Sequence, residues 1–282
     1  MTPDRLHRLH RPDRPDRLDR LDRLVCEVSA DGLPIVAVSP HLDDAVLSCG
    51  ALLGYLAPRC QVTVVTVFTA ASPPPWPLPA RRQMRAIGEP DAERFYRQRQ
   101  AEDACVLAGM GAAWVHLGFP DALFRRVGPG PGLLPGRPRR AAYPTFRFDA
   151  ARGRIAAADT RLIEEIAAAT DGVVRSAGAR LLLAPLGVGR HVDHLITRSA
   201  TRGLGPRAVY YSDFPYSETA VPDAGFIRRH CLIPHPWLAG REENAHRIAG
   251  YRSQVGGLFP GGTIPTRPEI YWLAASDSAT AA

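Results

Sequence analysis

Residues 36–44 read VAVSPHLDD and join a short β-branched apolar run to an imidazole and two adjacent carboxylates. The apolar residues 45–56 follow directly and predict a helix. A strand, a sharp turn and a helix in this order are typical of α/β proteins, whose ligands lie at the carboxyl ends of the strands. This stretch therefore predicts an α/β fold with a functional site at the turn.

Asp43 and Asp44 alone have an ordinary explanation, because turns are polar and Asp is a favoured helix N-cap. A second cluster argues against that explanation. Residues 181–185, LLLAP, predict another buried strand, and a Gly-containing loop leads from it to RHVDH at 190–194. Three of the nine histidines lie in these two clusters, which indicates one shared site.

Imidazole nitrogen and carboxylate oxygen are both zinc ligands, and a catalytic zinc takes three protein ligands and leaves one position open. We expect His41, Asp44 and His194 to supply those ligands. Asp43 would stay free of the metal and accept a proton from water. His191 would be a second polar group for the reacting carbonyl.

Both clusters match motifs of a known family. Residues 40–44, PHLDD, resemble the Pro-His-Pro-Asp-Asp-Glu signature of the PIG-L/LmbE-like zinc deacetylases, and residues 191–194, HVDH, resemble that family's His-Pro-Asp-His motif. Weaker matches follow in the family's order, namely Arg99-x-x-Glu102, LGFPD at 117–121, YSDFPY at 211–216 and YRSQ at 251–254. The resemblance covers roughly residues 33–273.

The resemblance implies a Rossmann-like three-layer α/β fold with a mostly parallel sheet. It also implies a zinc-dependent hydrolase that removes an N-acyl group, principally acetyl, from an amino sugar or glycosylated small molecule in natural-product or thiol-cofactor biosynthesis. His41, Asp44 and His194 match the zinc ligands, and Asp43 matches the general base. His191 matches the residue that stabilises the oxyanion and helps to protonate the amine.

Three further residues acquire roles from the resemblance. Asp193 matches the carboxylate that orients His191, and we expect it to raise the pKa of His191 so that the imidazole is cationic at neutral pH. Arg99 matches an arginine that holds sugar hydroxyls, and Asp121 is expected to bind substrate as well. Without the resemblance, Arg99 and Glu102 would be an ordinary helix surface pair.

The chain departs from the family pattern at three places. Leu42 replaces a Pro, which removes rigidity from the turn but no chemistry. Ala45 replaces a Glu, so any contact from that carboxylate is missing. Some members carry a Tyr two residues before the second motif, where this chain has Gly189, so any help to the oxyanion from such a Tyr must come from elsewhere or be absent.

Composition sets the broad class. The chain has 282 residues, which suits one large α/β domain or two small ones, and its apolar content of 45% is ample for a core. All 35 basic residues are Arg and the net charge is +7, which permits acidic partners without requiring them. No dinucleotide fingerprint or membrane-length apolar run occurs, and we expect neither a nucleic-acid partner nor a membrane span. The five cysteines predict reduced core residues of a cytoplasmic protein, and a homo-oligomer stays open.

Two segments fall outside the α/β pattern. Residues 1–30 contain Arg-Leu-His, Arg-Pro-Asp and Arg-Leu-Asp triplets, and we expect a disordered extension, with a partner-docking helix as the alternative. The catalytic domain would then be residues 31–275. Within it, the Pro- and Gly-rich residues 119–154 carry eight Arg and two Asp, which predicts either a lid beside the site or a solvated insertion.

Two other functions remain open from the residues alone. The same scaffold could serve an amidase that acts on a thiol conjugate or another N-acylated metabolite, or a non-catalytic binding module. His246, on a predicted helix over 241–254, is left out of the site because a lone helical His is usually a surface or core residue. Residues 225–233 are expected to form a strand.

Overall fold

The computed structural model describes residues 20–127, 140–145, 152–205 and 207–275. Within these ranges the strands are β1 Ile35–Ser39, β2 Val62–Ala70, β3 Ala113–Pro120, β4 Arg126–Val127, β5 Arg140–Ala141, β6 Leu181–Pro185, β7 Arg207–Tyr211, β8 Leu232–Trp237 and β9 Glu269–Ala274. The α-helices are α1 Arg20–Ala30, α2 Asp44–Leu56, α3 Leu78–Ala86, α4 Ala92–Gly109, α5 Thr160–Ser176, α6 Val192–Thr201, α7 Ala224–Arg229, α8 Arg241–Ile248 and α9 Arg252–Leu258.

Seven strands form one sheet in the order β3-β2-β1-β6-β7-β9-β8. The first five of these are parallel to their neighbours, and β9 runs antiparallel to both β7 and β8. The chain leaves β1 toward β2 and β3 and later returns to β6 on the other side of β1. This reversal is a topological switch point, where α/β sheets open a crevice for ligands. The predicted Rossmann-like, mostly parallel sheet is confirmed.

The sheet is covered on both faces because β1 is apolar at every position but the last. Ile35 and Ala37 pack into a cluster with residues of α1, α2, α4 and α8, whereas Val36 and Val38 pack against α5 and α6. Alternate side chains of a strand point to opposite faces, so a continuous apolar run requires a layer on each side. The result is the expected three-layer arrangement.

The prediction that residues 1–30 form a disordered extension is wrong for residues 20–30. Arg20–Ala30 is helix α1, and its Leu21, Leu24, Val25 and Val28 are buried in the cluster beneath the sheet. Spacing of three and four residues puts these four side chains on one helix face. Residues 1–19 lie outside the described part of the chain, so the prediction for them stays a prediction.

Other expectations also differ from the structure. Residues 225–233 were expected to form a strand, but Asp223 accepts hydrogen bonds from the N–H groups of Gly225 and Phe226 and caps helix α7, so that β8 begins only at Leu232. The helix predicted over 241–254 is divided into α8 and α9. All five cysteines are free, but only Cys49 and Cys60 are buried, since the other three are exposed.

The Arg-rich segment, residues 119–154, is only partly described. β3 continues to Pro120, and β4 and β5 form a short antiparallel pair. Residues 128–139 and 146–151 lie outside the described part, so the lid remains a prediction. No helix of the described residues is long and apolar enough to cross a membrane.

Candidate metal and catalytic site

The two sequence clusters meet at the switch point. β1 and β6 pair in parallel, so the turn before α2 and the loop before α6 emerge at the same edge of the sheet. The ring centroid of His41 lies 5.3 Å from that of His191 and 5.3 Å from that of His194. The centroids of His191 and His194 lie 5.5 Å apart. Residues about 150 positions apart in the chain therefore share one site.

The turn after β1 is fixed by its own residues. The Ser39 hydroxyl accepts a hydrogen bond from the Ala45 N–H at 2.9 Å and donates one to the His41 carbonyl at 2.7 Å. Asp43 precedes helix α2 with φ 150° and ψ −33°, a backbone conformation that non-glycine residues rarely adopt. Such conformations persist only where the surroundings impose them, and they concentrate at functional sites.

Three donor atoms converge in the centre of the site. Asp44 Oδ2 lies 3.0 Å from His41 Nδ1 and 3.3 Å from His194 Nε2. The other ring nitrogen of each histidine faces a carboxylate, because His41 Nε2 lies 3.1 Å from Asp193 and His194 Nδ1 lies 2.6 Å from Asp213. Metal-bound histidines characteristically donate their second N–H to a carboxylate, which fixes the tautomer and leaves the first nitrogen for the ion.

The residues present fit a divalent metal. His194 is 1% exposed, and its Nε2 is a buried atom with no hydrogen-bond partner among the described residues. A buried polar atom without a partner is costly, and a metal ion would relieve that cost. His41, Asp44 and His194 can bring one ligand atom each to within 4.8 Å of one another, as can His41, His191 and Asp193. We favour the first group because Arg125 already neutralises Asp193.

Asp213 is a member of the site that we did not single out from the sequence. One of its oxygens faces His194 Nδ1, and the other accepts a hydrogen bond from the Val188 N–H at 2.7 Å. The residue is 1% exposed and follows β7, the next strand of the parallel sheet. Its position within the YSDFPY match was the available signal, but the contact with His194 depends on the strand order.

The Asp193 carboxylate has partners that were not expected, while its expected orientation of His191 stays a prediction. Its carboxylate accepts hydrogen bonds from Arg125 Nη1 at 2.5 Å and the Ala122 N–H at 3.0 Å, and it faces His41 Nε2. It therefore orients His41, whereas the hydrogen bond to His191 Nδ1 comes from the Asp193 backbone N–H. An Nδ1 that accepts this bond leaves the imidazole proton on Nε2.

The expected imidazolium at His191 is also corrected. Burial lowers the pKa of His191 to about 4, and this outweighs the opposing effect of the Asp193 charge. The imidazole is consequently neutral at pH 7. It can still donate a hydrogen bond from Nε2, but it carries no positive charge to offer to an oxyanion.

Asp43 and Arg99 form a buried pair beside the converging ligands. Arg99 Nη2 lies 3.5 Å from Asp43 Oδ1 and donates a hydrogen bond to the Leu42 carbonyl at 3.3 Å. Burial raises the pKa of Asp43 to about 7, which the positive charge of Arg99 opposes and the negative charge of Asp44 reinforces. Asp43 is thus a carboxylate whose pKa lies near neutrality, as a general base requires.

The two predicted substrate-binding residues are both brought to the site. Arg99 is only 8% exposed, with its guanidinium 5.6 Å from the centre of the Tyr96 ring. Asp121 accepts a hydrogen bond from the Tyr96 hydroxyl at 3.0 Å and lies 3.7 Å from His41 Nε2. Contact between either residue and a substrate stays a prediction, since their observed partners belong to the protein.

The remaining family matches along α4 and α9 hold the fold together. Glu102 accepts hydrogen bonds from the N–H and the hydroxyl of Ser253, the latter at 2.7 Å. The neighbouring Asp103 accepts one from the Tyr251 hydroxyl at 2.8 Å. These bonds attach the start of α9 to α4. Since α4 carries Arg99, they help to hold that residue in the site.

Comparison with known proteins agrees with this arrangement. Residues 36–204 match the model of the family described as PIG-L: GlcNAc-PI de-N-acetylase, and the match includes both clusters. The 2'-N-acetylparomamine deacetylase of Streptomyces fradiae is 37% identical over 184 residues, which are 64% of this chain. The match spans only 56% of the length of that relative.

Solved structures share the fold. The zinc-inhibited form of teicoplanin deacetylase Orf2 aligns with a TM-score of 0.68 at 24% identity, over 87% of this chain and 100% of the other. The A40926 pseudoaglycone deacetylase Dbv21 aligns with a TM-score of 0.64 at 24% identity, over 86% of this chain and 97% of the other. At this identity the likeness establishes the three-layer fold and leaves the chemistry to be argued from the residues.

Proposed function

We propose, since the chain belongs to the PIG-L family of GlcNAc-PI de-N-acetylases, that it is a zinc-dependent hydrolase that removes an N-acetyl group from an amino sugar. The convergence of His41 Nδ1, Asp44 Oδ2 and His194 Nε2 carries the proposal, because each imidazole is held by a carboxylate on its far side. A ligand set of two histidines and one carboxylate suits zinc and leaves a position open.

Zinc held by these residues would polarise the amide carbonyl and lower the pKa of a water molecule toward neutrality. Asp43 stands next to the ligand Asp44 but outside the metal-binding group, so it accepts the proton of the attacking water. That proton is returned to the amide nitrogen as the carbon–nitrogen bond breaks, and the products are acetate and a free amine. His191 donates a hydrogen bond from Nε2 to the reacting carbonyl oxygen.

The substrate is proposed to be a glycosylated small molecule of the kind that antibiotic pathways produce. The names of the relatives support this choice, since they refer to 2'-N-acetylparomamine, to teicoplanin and to the antimicrobial A40926 pseudoaglycone. Arg99 and Asp121, which lie beside Asp43 and His41, carry polar groups that are suited to sugar hydroxyls. The free thiols of all five cysteines support a cytoplasmic location for the reaction.

The proposal is tested with the purified chain, loaded with zinc and offered a panel of N-acetylated substrates. The panel contains N-acetylglucosaminyl glycosides, 2'-N-acetylparomamine, an N-acylated pseudoaglycone that retains its amino sugar, and an N-acylated thiol conjugate. Released amine and acetate are measured together. We expect the sugar compounds that are accepted to release amine and acetate in equal amounts. Release from the thiol conjugate alone would assign an amidase instead, and stoichiometric metal without release from any compound would favour a binding module.

A further inference from the structure

Tyr216 lies directly over a proposed metal ligand. Its ring centroid is 5.3 Å from that of His194, and the two rings are almost perpendicular, at 86°. The residue begins a short turn, Tyr216–Glu218, in the loop after β7, and it is 37% exposed. A large aromatic side chain is thus left partly open to solvent at the mouth of the site.

A missing side chain on the opposite loop makes room for this ring. Gly189 has φ +81°, and a Cβ atom at this position would lie 2.7 Å from Cβ and 2.8 Å from Cγ of Tyr216. Contacts this short do not occur between real atoms, so any side chain at residue 189 would displace Tyr216. The glycine before the second cluster and the tyrosine after β7 therefore form one feature of the site.

The backbone that carries Tyr216 is fixed by the residue that orients His194. The Asp213 carbonyl accepts a hydrogen bond from the Ser217 N–H at 2.9 Å, while the Asp213 carboxylate faces His194 Nδ1 at 2.6 Å. Tyr216 lies between these anchor points. The backbone beside Tyr216 is consequently attached to the same residue that orients His194.

The Tyr216 ring lies beside the proposed ligand His194 and is partly exposed, so its hydroxyl is available at the mouth of the site. The ordinary pKa of a tyrosine hydroxyl is about 10, so the phenol keeps its proton at neutral pH. The phenol is therefore a hydrogen-bond donor at neutral pH. A substrate carbonyl that reaches the space between Asp43 and the metal ligands would approach this donor.

We infer that Tyr216 is a catalytic residue whose hydroxyl donates a hydrogen bond to the acyl oxygen of the substrate as that oxygen gains negative charge. The inference rests on the proposed deacetylase function. It supplies a second hydrogen-bond donor beside His191. Donors aimed at the position where charge develops act mainly on the transition state.

Tyr216→Phe tests the inference because it keeps the ring and removes only the hydroxyl. We expect kcat to fall by ~10²-fold, the usual effect of one lost donor, with KM and zinc content close to wild type. Tyr55→Phe is the matched control, since Tyr55 lies at the far end of α2 and contacts Trp237 instead of the site. This control should leave both constants unchanged.

A second measurement separates catalysis from packing. An N-trifluoroacetyl substrate forms a less basic oxyanion, so the loss caused by Tyr216→Phe should be several-fold smaller with it than with the N-acetyl substrate. Equal losses with both substrates, a loss of zinc, or a kcat within about twofold of wild type would each overturn the inference. If the wild-type chain releases no amine from any N-acetyl sugar, the proposed function fails and the inference fails with it.

Discussion

Arg125 donates a hydrogen bond from Nη1 to Oδ1 of Asp193, and the two residues stand 68 positions apart in the chain. Both are buried, and the second oxygen of Asp193 faces His41 Nε2 at 3.1 Å. The segment after β3 thus reaches a proposed metal ligand on the turn after β1 through a carboxylate on α6. Part of the Arg-rich segment therefore holds a residue that orients His41, which neither a lid nor a solvated insertion would require.

Arg125→Met should weaken both the fold and metal binding. The guanidinium also lies 3.2 Å from Asp159, so its removal leaves two buried carboxylates without their cation. The free energy of unfolding should fall by ~3–5 kcal/mol, as is usual for breaking a buried pair. Zinc affinity should fall ~10–100-fold, as for other partners of metal ligands. Urea denaturation and zinc titration measure the two effects.

The control for this variant is Arg126→Met. Arg126 is the next residue and is half-buried in β4, so it carries the same charge and length into the same segment. It should change neither quantity appreciably. If the two variants behaved alike, the Arg125–Asp193 contact would have no special role in holding His41.

His194→Ala should abolish stoichiometric zinc. The imidazole is buried, and its Nε2 is one of the buried atoms without a hydrogen-bond partner among the described residues, so the change removes one of the three proposed ligand atoms. Metal content by elemental analysis and turnover should disappear together. His246→Ala, an exposed change on α8, should retain both. Full metal content in His194→Ala would show that the ligand set is wrong.

Asp43→Asn should keep zinc and lose most of its turnover. The amide has nearly the same shape as the carboxylate but cannot accept the proton of water, and Asp43 lies outside the metal-binding group. General acid–base groups contribute ~10²–10⁴-fold, and kcat should fall within that range. Metal content is measured on the same preparation. Loss of zinc in this variant would mean that Asp43 is a ligand and that the roles of Asp43 and Asp44 are exchanged.

Arg99→Gln should move the acid limb of the pH–rate profile to higher pH. The rate requires ionised Asp43, so it falls as the pH decreases through the pKa of that carboxyl. The positive charge of Arg99 lowers this pKa against the effect of burial, and its removal therefore raises it. The profile of kcat against pH is measured with the zinc-loaded protein.

Arg97→Gln provides the comparison on the same helix. Its guanidinium is exposed and pairs with Glu93, so Arg97→Gln should leave the pKa of Asp43 and the acid limb unchanged. An acid limb that stays in place for both variants would mean that Arg99 does not tune the base. A rise in KM without a shift of the limb would instead assign Arg99 to the substrate.

The chemistry-bearing residues could be named from the sequence because the two clusters are local. The run at 36–38 must be a strand, since it is short, β-branched and uniformly apolar, and the carboxylates after it must then lie at a strand end. The same logic applies to residues 181–194. His41, Asp43, Asp44, His191 and His194 follow from these patterns and from the family resemblance.

The connections among these residues were decided by the tertiary structure. Asp193 stands two positions after His191 but binds His41, because the start of α6 presents its carboxylate to the turn after β1 and to Arg125. Its effect on the pKa of His191 was overestimated because the burial of the imidazole could not be read from neighbours in the sequence. Local spacing does not determine how strongly a group is desolvated.

The partners Asp213 and Tyr216 likewise depend on the fold. They reach His194 only because β7 pairs beside β6, which places the loop after β7 over the switch point. Helix α1 is a further example. Its repeat-like sequence predicted disorder, but the packed core buries one apolar face of the helix and so stabilises it. The sequence by itself determined which groups are candidates for the chemistry. The packing of distant segments determined which group holds which, because hydrogen bonds and burial depend on distance in space and not on order along the chain.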